Sequence, residues 1–328
     1  MTSKQLIQNA IAFKPVPRTP VAVLDGYNWM QKRAGITADD FFAMEDEKAA
    51  DFVIGVYDEI ESDFVYANAQ ANSAMRSVMN GPKIIEPKDV CAYNTKDVFA
   101  ATENHERWKF FRRQLGLLDK KIGSEKFILA FGTGPLTSAA GTMGMENLMM
   151  ALHENPEDMQ YIIDFSVDMT IKMINDQLDN GASAVSIADP VSSINLISGE
   201  FFEKYSLPGL KRIFAETRRP GVISMLHICG DTTTRLEPLI GSGIDIFSLD
   251  SVDINDALTL SKGDYAIFGN LSTVEIMLQA TPEKVYDTAK KVCDRAGLGG
   301  GFILAPGCDL PPATPIDNIR AMVRAAKG

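Results

Sequence analysis

At 328 residues the chain can hold one large domain or two ordinary ones, and its 45% hydrophobic and 23% charged residues suit a globular protein with a sizeable core. A formal net charge of −11 argues against nucleic acid as a partner, because an acidic surface repels phosphate backbones. No apolar run approaches the length of about 18 residues that a membrane span needs, and MTSKQLIQNAIAFKPVPRTP lacks a signal core, so a cytoplasmic protein is expected.

Short apolar segments alternate with longer helical patterns along the chain. Strands are expected at 20–24 (PVAVL), 63–67 (DFVYA), 126–131 (KFILAF), 184–188 (AVSIA), 222–226 (VISML), 244–249 (IDIFSL), 265–269 (YAIFG) and 302–305 (FILA). All but VISML, which runs into His227, are followed directly by Gly, Asp, Asn or Pro, as buried parallel strands usually are. Between the first two, Ala49, Phe52, Val53, Val56, Tyr57 and Ile60 form one helical stripe. Residues 68–125 exceed what one loop and helix require, and read as an inserted helical segment between the second and third strands that roofs the site. A helix should start at Asn155-Pro156-Glu157, with Asn155 as cap, and stop near Gly181. Thr281-Pro282-Glu283 and Thr314-Pro315-Ile316-Asp317 repeat that start signal. Eight strands alternating with helices predict an α/β protein, a single (β/α)8 TIM barrel over 1–328, with a doubly wound open sheet as the fallback.

Only three histidines and four cysteines occur, and three of those seven sit at two strand ends: His227 and Cys229 in HICG, and Cys308 in APGCD. Two thiolates and an imidazole are a familiar ligand set for a catalytic zinc ion, which keeps a fourth position open. His-x-Cys in extended backbone puts both side chains on one side. A strand-end His with a nearby Cys is, alone, more often packing than metal binding; Cys308 at the rim of the same barrel shifts the balance towards metal. Cys293 reads as a buried small hydrophobe, and Cys91 takes no role. His105 reads as solvated, and His153 faces a helix C-terminus. Asp25, Asp189, Asp250 and Asp309 also end strands, where helix capping is the ordinary role. Asp250 is the best placed to face His227, as a displaceable fourth ligand or a proton acceptor. Asp189 and Asn270 are candidate substrate contacts.

Taken in order, ADPVSSINLISGEFFEKYSLPGLKRI, LHICGDTTTRLEPLIGSGIDIFSLD, FGNLSTVEIMLQATPEKV and APGCDLPPATPIDNIRAMV resemble the uroporphyrinogen decarboxylase superfamily, and within it the zinc-dependent methylcobalamin:coenzyme M methyltransferases. The resemblance spans nearly the whole chain and is strongest from about 182 to 324. It implies zinc held by His227, Cys229 and Cys308, with the acceptor thiol entering the remaining position. It implies a methylated corrinoid such as methylcobalamin as donor, usually presented by a separate corrinoid protein. The chemistry agrees: a free thiol has a pKa of about 8.5, and a divalent ion favours its anion. The chain departs from the decarboxylases after the first strand, where VLDGYNWMQKRAG lacks their paired arginines. For the sulfonate of coenzyme M the one candidate anchor is Arg235, after HICG. The alternatives are a metal-free tetrapyrrole decarboxylase, a methyltransferase acting on another thiol or on tetrahydrofolate, and a non-catalytic corrinoid carrier.

Overall fold

The computed structural model describes residues 1–24, 27–67, 72–79 and 85–328. Seven strands form one parallel sheet in chain order: β1 (Phe64–Tyr66), β2 (Phe127–Thr133), β3 (Ala184–Ala188), β4 (Ile223–Ile228), β5 (Ile246–Leu249), β6 (Ala266–Leu271) and β7 (Phe302–Pro306). Every neighbouring pair is parallel, as helical crossovers require. β1, β4, β5 and β7 are buried at every position, so both faces of the sheet are covered and the strands read as continuous apolar runs.

The segment expected as a first strand behaves differently. Within 20–24 only Val21 makes a ladder bridge, to Leu304 of β7. Yet the segment touches both edges of the sheet. Ala22 N–H donates to Leu304 O (2.9 Å), Leu304 N–H to Pro20 O (2.8 Å), and Asp63 N–H, beside β1, to Val21 O (2.8 Å). Its other donors are diverted to side chains: Val21 N–H to the Asp63 carboxylate (2.9 Å) and Val23 N–H to Ser62 Oγ (3.3 Å). Side-chain oxygens thus take bonds that a backbone ladder would have made, and no regular strand forms. The two edges are tied through this segment, which gives an α/β barrel-like fold.

The same end of the sheet carries a saturated ion pair. Asp63 accepts two bonds from the Arg18 guanidinium (2.7 and 2.7 Å), one from Ser3 Oγ (2.6 Å) and the one from Val21 N–H. The carboxylate is 1% exposed, and each oxygen has two donors. A charge buried so deeply is tolerable only when paired and hydrogen-bonded in this way.

The helices follow the sequence patterns with two corrections. Asp46–Glu59 buries Ala49, Val53, Val56 and Tyr57, the predicted stripe. Pro156–Asp179 begins and ends near the predicted points, but Asn155 makes no side-chain cap; the proline at the first turn supplies the start signal alone. Thr281 does cap Pro282–Ala296, through Lys284 N–H. Thr314 does not cap the last helix, Ile316–Lys327, whose cap residue is Pro315. Between β1 and β2 the described residues form the helices Asn72–Met79, Pro87–Val90, Thr95–Glu103 and Glu106–Ile122. The last packs on Asp46–Glu59 and on β2, as a crossover helix should. His105 caps it, accepting from Arg107 N–H (3.3 Å), rather than being merely solvated.

Candidate metal centre

The site lies at the C-terminal ends of the strands, where parallel α/β proteins gather chemistry on loops. His227 is inside β4, not after it, and its ladder partners are Ala188 in β3 and Ser248 in β5. Register therefore puts Ser248 beside the imidazole, and its Oγ lies 2.9 Å from His227 Nδ1. With Nδ1 engaged, Nε2 faces the cavity, 3.0 Å from Cys229 Sγ. Cys229 is the first residue past β4, and its Sγ lies 3.3 Å from Cys308 Sγ, beyond the end of β7. The three donor atoms lie within 4.8 Å of one another. Donors held about 2.0–2.3 Å from one tetrahedral ion lie some 3.5 Å apart, so these separations suit a single zinc ion. Ser248 is the kind of outer partner that orients a ligating imidazole.

Two glycines let the turns converge. Gly230, directly after Cys229, has φ +74°, and a Cβ there would meet Ser193 Oγ and Asn195 Oδ1 at 2.9 Å. Gly307, directly before Cys308, has no room for a side chain: a Cβ would lie 2.5 Å from Asp250 Oδ1. Asp250 is wedged between these turns. Its Oδ2 accepts from Gly230 N–H (3.1 Å), and Ser251 N–H donates back to Gly230 O (3.2 Å). Asp250 was expected as a fourth ligand or proton acceptor. Among the described residues the close donor set is His227, Cys229 and Cys308, and the Asp250 carboxylate braces the two turns that carry the cysteines.

The other predicted contacts also differ. Asp189 is fully buried and accepts from Ser192 Oγ (2.5 Å), Ser206 Oγ (2.7 Å) and Thr137 N–H (2.8 Å). It anchors the loop that carries Pro190 to the cavity wall. The Asn270 amide donates to the carbonyls of Val252 and Asp250, holding the Asp250 loop. Arg235 is 1% exposed: its guanidinium donates to Ser192 O (3.0 Å) and Ile197 O (2.7 Å) and stacks over Phe202. In each case tertiary neighbours supply the hydrogen-bond partner that a ligand was expected to supply. Asp25 lies outside the described residues.

A cavity of about 270 Å³ opens over the three donors. Leu24, Phe131, Ala188 and Pro190 give it apolar walls, and Asn28, Tyr66 and Asp309 contribute polar groups. Tyr66 and Phe131 stand side by side, with ring centroids 5.9 Å apart. Hydrogen bonding from Cys229, and then His227, holds the Cys308 thiol well below the usual thiol range. Cys229 is pushed up in turn by its neighbour Cys308 and by burial. The protein alone thus favours one negative charge on the sulfur pair, and a divalent ion would draw off the second proton. Burial, and then the Cys308 charge, push Asp309 up to about 6. Sequence reasoning noted Asp309 only as a possible cap and passed over Ser248, Tyr66 and Asn28. Ser248 alone had a local signal: it is two residues before Asp250, on the same face of its strand.

The family description Uroporphyrinogen decarboxylase (URO-D) matches residues 2–328. Among curated proteins, the chain is 35% identical over 225 residues to the methylcobamide:CoM methyltransferase MtbA of Methanosarcina acetivorans, covering 68% of this chain and 65% of that protein. It is 36% identical over 212 residues to MtbA of Methanosarcina mazei, covering 64% of this chain and 61% of that protein. The matched region thus spans somewhat under two thirds of each relative's length. Among solved structures, a methyltransferase from Methanosarcina mazei superimposes with a TM-score of 0.85 over 99% of this chain and 98% of that chain. At 19% identity, that likeness speaks for the fold.

Proposed function

Since the chain belongs to the uroporphyrinogen decarboxylase family, we propose that it is a zinc-dependent methyltransferase moving a methyl group from a methylated corrinoid to a thiol of the coenzyme M kind. The observation that carries this reading is the convergence of His227, Cys229 and Cys308 within 4.8 Å beneath a cavity. The methylcobamide-dependent relatives support the choice of donor. Zinc, when bound, supplies the positive charge that favours the anion of an acceptor thiol.

The chain's own groups do the rest. The two cysteines and His227 form the binding set, and Ser248 keeps the imidazole turned towards it. Asp250 holds the HICG and PGC turns together. The apolar wall of Leu24, Phe131 and Pro190 keeps water from the acceptor. In the transfer, the sulfur electron pair forms the new S–CH3 bond. The Co–C bonding pair stays on the metal of the corrinoid, which passes from Co(III) to Co(I). Alignment of sulfur, methyl and cobalt is the chief contribution of the fold. We read the chain as one cytoplasmic barrel domain, with the corrinoid delivered by a separate protein.

The test is to load the protein with zinc, add methylcobalamin and thiols, and follow the Co(I) spectrum alongside metal content. One zinc per chain and thiol-dependent Co(I) formation are expected, with Cys308→Ser losing both. Full transfer by that variant would overturn the reading.

A further inference from the structure

Tyr66 Oη and Ser186 Oγ lie 3.2 Å apart, and on distance alone either hydroxyl could donate to the other. Burial decides between them. Ser186 is 0% exposed, and among the described residues its hydroxyl has Tyr66 as its one hydrogen-bond partner. Were Tyr66 the donor, the Ser186 O–H would be buried with no acceptor, a costly state for a group that carries a single hydrogen. Ser186 therefore donates, and the Tyr66 O–H is left for another acceptor. Among the described residues no protein group takes it, and Tyr66 lines the cavity beside Phe131. A phenol stays protonated at neutral pH, so the cavity is offered a neutral donor.

Depth and charge narrow what accepts from it. Ser186 precedes the wall residue Ala188 by two positions on the same face of β3, one step deeper in the sheet. The hydroxyl pair thus sits at the inner end of a cavity of about 270 Å³, too small for a corrinoid macrocycle and suited to a small acceptor thiol. The described lining includes no lysine or arginine, so an anionic tail there is held by neutral donors. Outside the metal donor set these are the Tyr66 hydroxyl and the Asn28 amide. Asp309, the one lining carboxylate, stands exposed, where water screens its charge. An oxyanion offers acceptors only, and a hydrogen bond to a charged oxygen is stronger than one between neutral groups.

We propose that Tyr66 is a specificity-determining residue whose hydroxyl, oriented by Ser186, donates to an oxyanion of the sulfonate kind at the tail of the acceptor thiol. This rests on the methyl-transfer reading above for the identity of the acceptor as a thiol.

Two thiols that differ in the tail isolate the contact: 2-mercaptoethanesulfonate and ethanethiol. With no corrinoid present neither turns over, and calorimetry on the zinc-loaded protein reads binding alone. Tyr66→Phe is expected to weaken the sulfonate thiol about tenfold and to leave ethanethiol within about twofold, with zinc content unchanged. In turnover with methylcobalamin the loss should appear in KM and not in kcat, since the contact is to a group that does not react. Tyr66→Phe strands the Ser186 O–H, so the double variant Tyr66→Phe/Ser186→Ala is its companion. Removing both partners should restore the melting temperature and keep the tenfold loss, on the scale of one hydrogen bond to a charged group. Equal weakening of both thiols would put the phenol at the sulfur and overturn the proposal. So would unchanged sulfonate binding in both variants, or a wild-type protein that holds the sulfonate thiol no better than ethanethiol. If no thiol is methylated, the methyl-transfer reading fails, and calorimetry still decides the role of Tyr66.

Discussion

Two aspartates at opposite ends of one sheet show how this fold divides its labour. Asp63 precedes β1 and is saturated: Arg18, Ser3 and Val21 meet both oxygens, and the side chain is sealed from water. Asp309 follows β7, faces the cavity, and has no protein donor among the described residues. The first completes the barrel-like closure by holding the 20–24 segment against β1. The second is left open, next to a cysteine of the candidate metal centre. Charge satisfied within the protein holds the fold at one end of the sheet, whereas Asp309 stands exposed at the cavity at the other.

That contrast can be broken by experiment. The largest effect is expected from Asp63→Ala, which strands a partly buried Arg18 and frees the Val21 segment: a loss of about 3–5 kcal/mol in denaturant unfolding. The protein that remains folded should still bind zinc. A loss below about 1 kcal/mol would mean that the saturated end is not what closes the fold. Next comes Ser248→Ala, which removes the partner of His227 Nδ1. Zinc affinity, measured by competition with a chelator, should fall about 10–100-fold with little change in stability.

Asp189 makes a third case, saturated yet near the site. Burial holds its carboxyl above the ordinary range. Its folded pKa therefore exceeds its unfolded one, so ionisation weakens the fold at pH above the folded value. That deficit shrinks as pH falls through the folded pKa and vanishes below the unfolded one. Asp189→Asn should flatten this part of the curve of stability against pH; an unchanged slope would show that the carboxyl is not strained by burial. The smallest effect belongs to Asp309→Asn, expected to alter unfolding free energy by no more than about 0.5 kcal/mol. A loss approaching that of Asp63→Ala would erase the distinction between the two ends.

Much of the candidate site was legible because its residues are rare and lie in short turns. HICG and PGC stood out among three histidines and four cysteines, and both proved to flank strand ends. What misled was every residue whose role depended on a partner. Arg235 looked like an anion anchor because nothing local reveals the carbonyls of Ser192 and Ile197 that claim it. Asp189 and Asn270 looked free for the same reason, and nothing local reveals that Asp250 accepts from Gly230 N–H. The segment 20–24 looked like an ordinary strand, because an apolar run cannot show that Asp63 and Ser62 intercept its N–H groups.

Sequence by itself determined the alternation of strand and helix and the identity of the three soft donors, since periodicity and residue chemistry are local properties. Tertiary structure alone decided that Cys308 meets Cys229 across 79 positions, and which carboxylates are satisfied and which stand open. Those outcomes depend on groups far apart in the chain arriving within hydrogen-bonding distance. Closure of the sheet brings about that arrival, and no short stretch of residues encodes it.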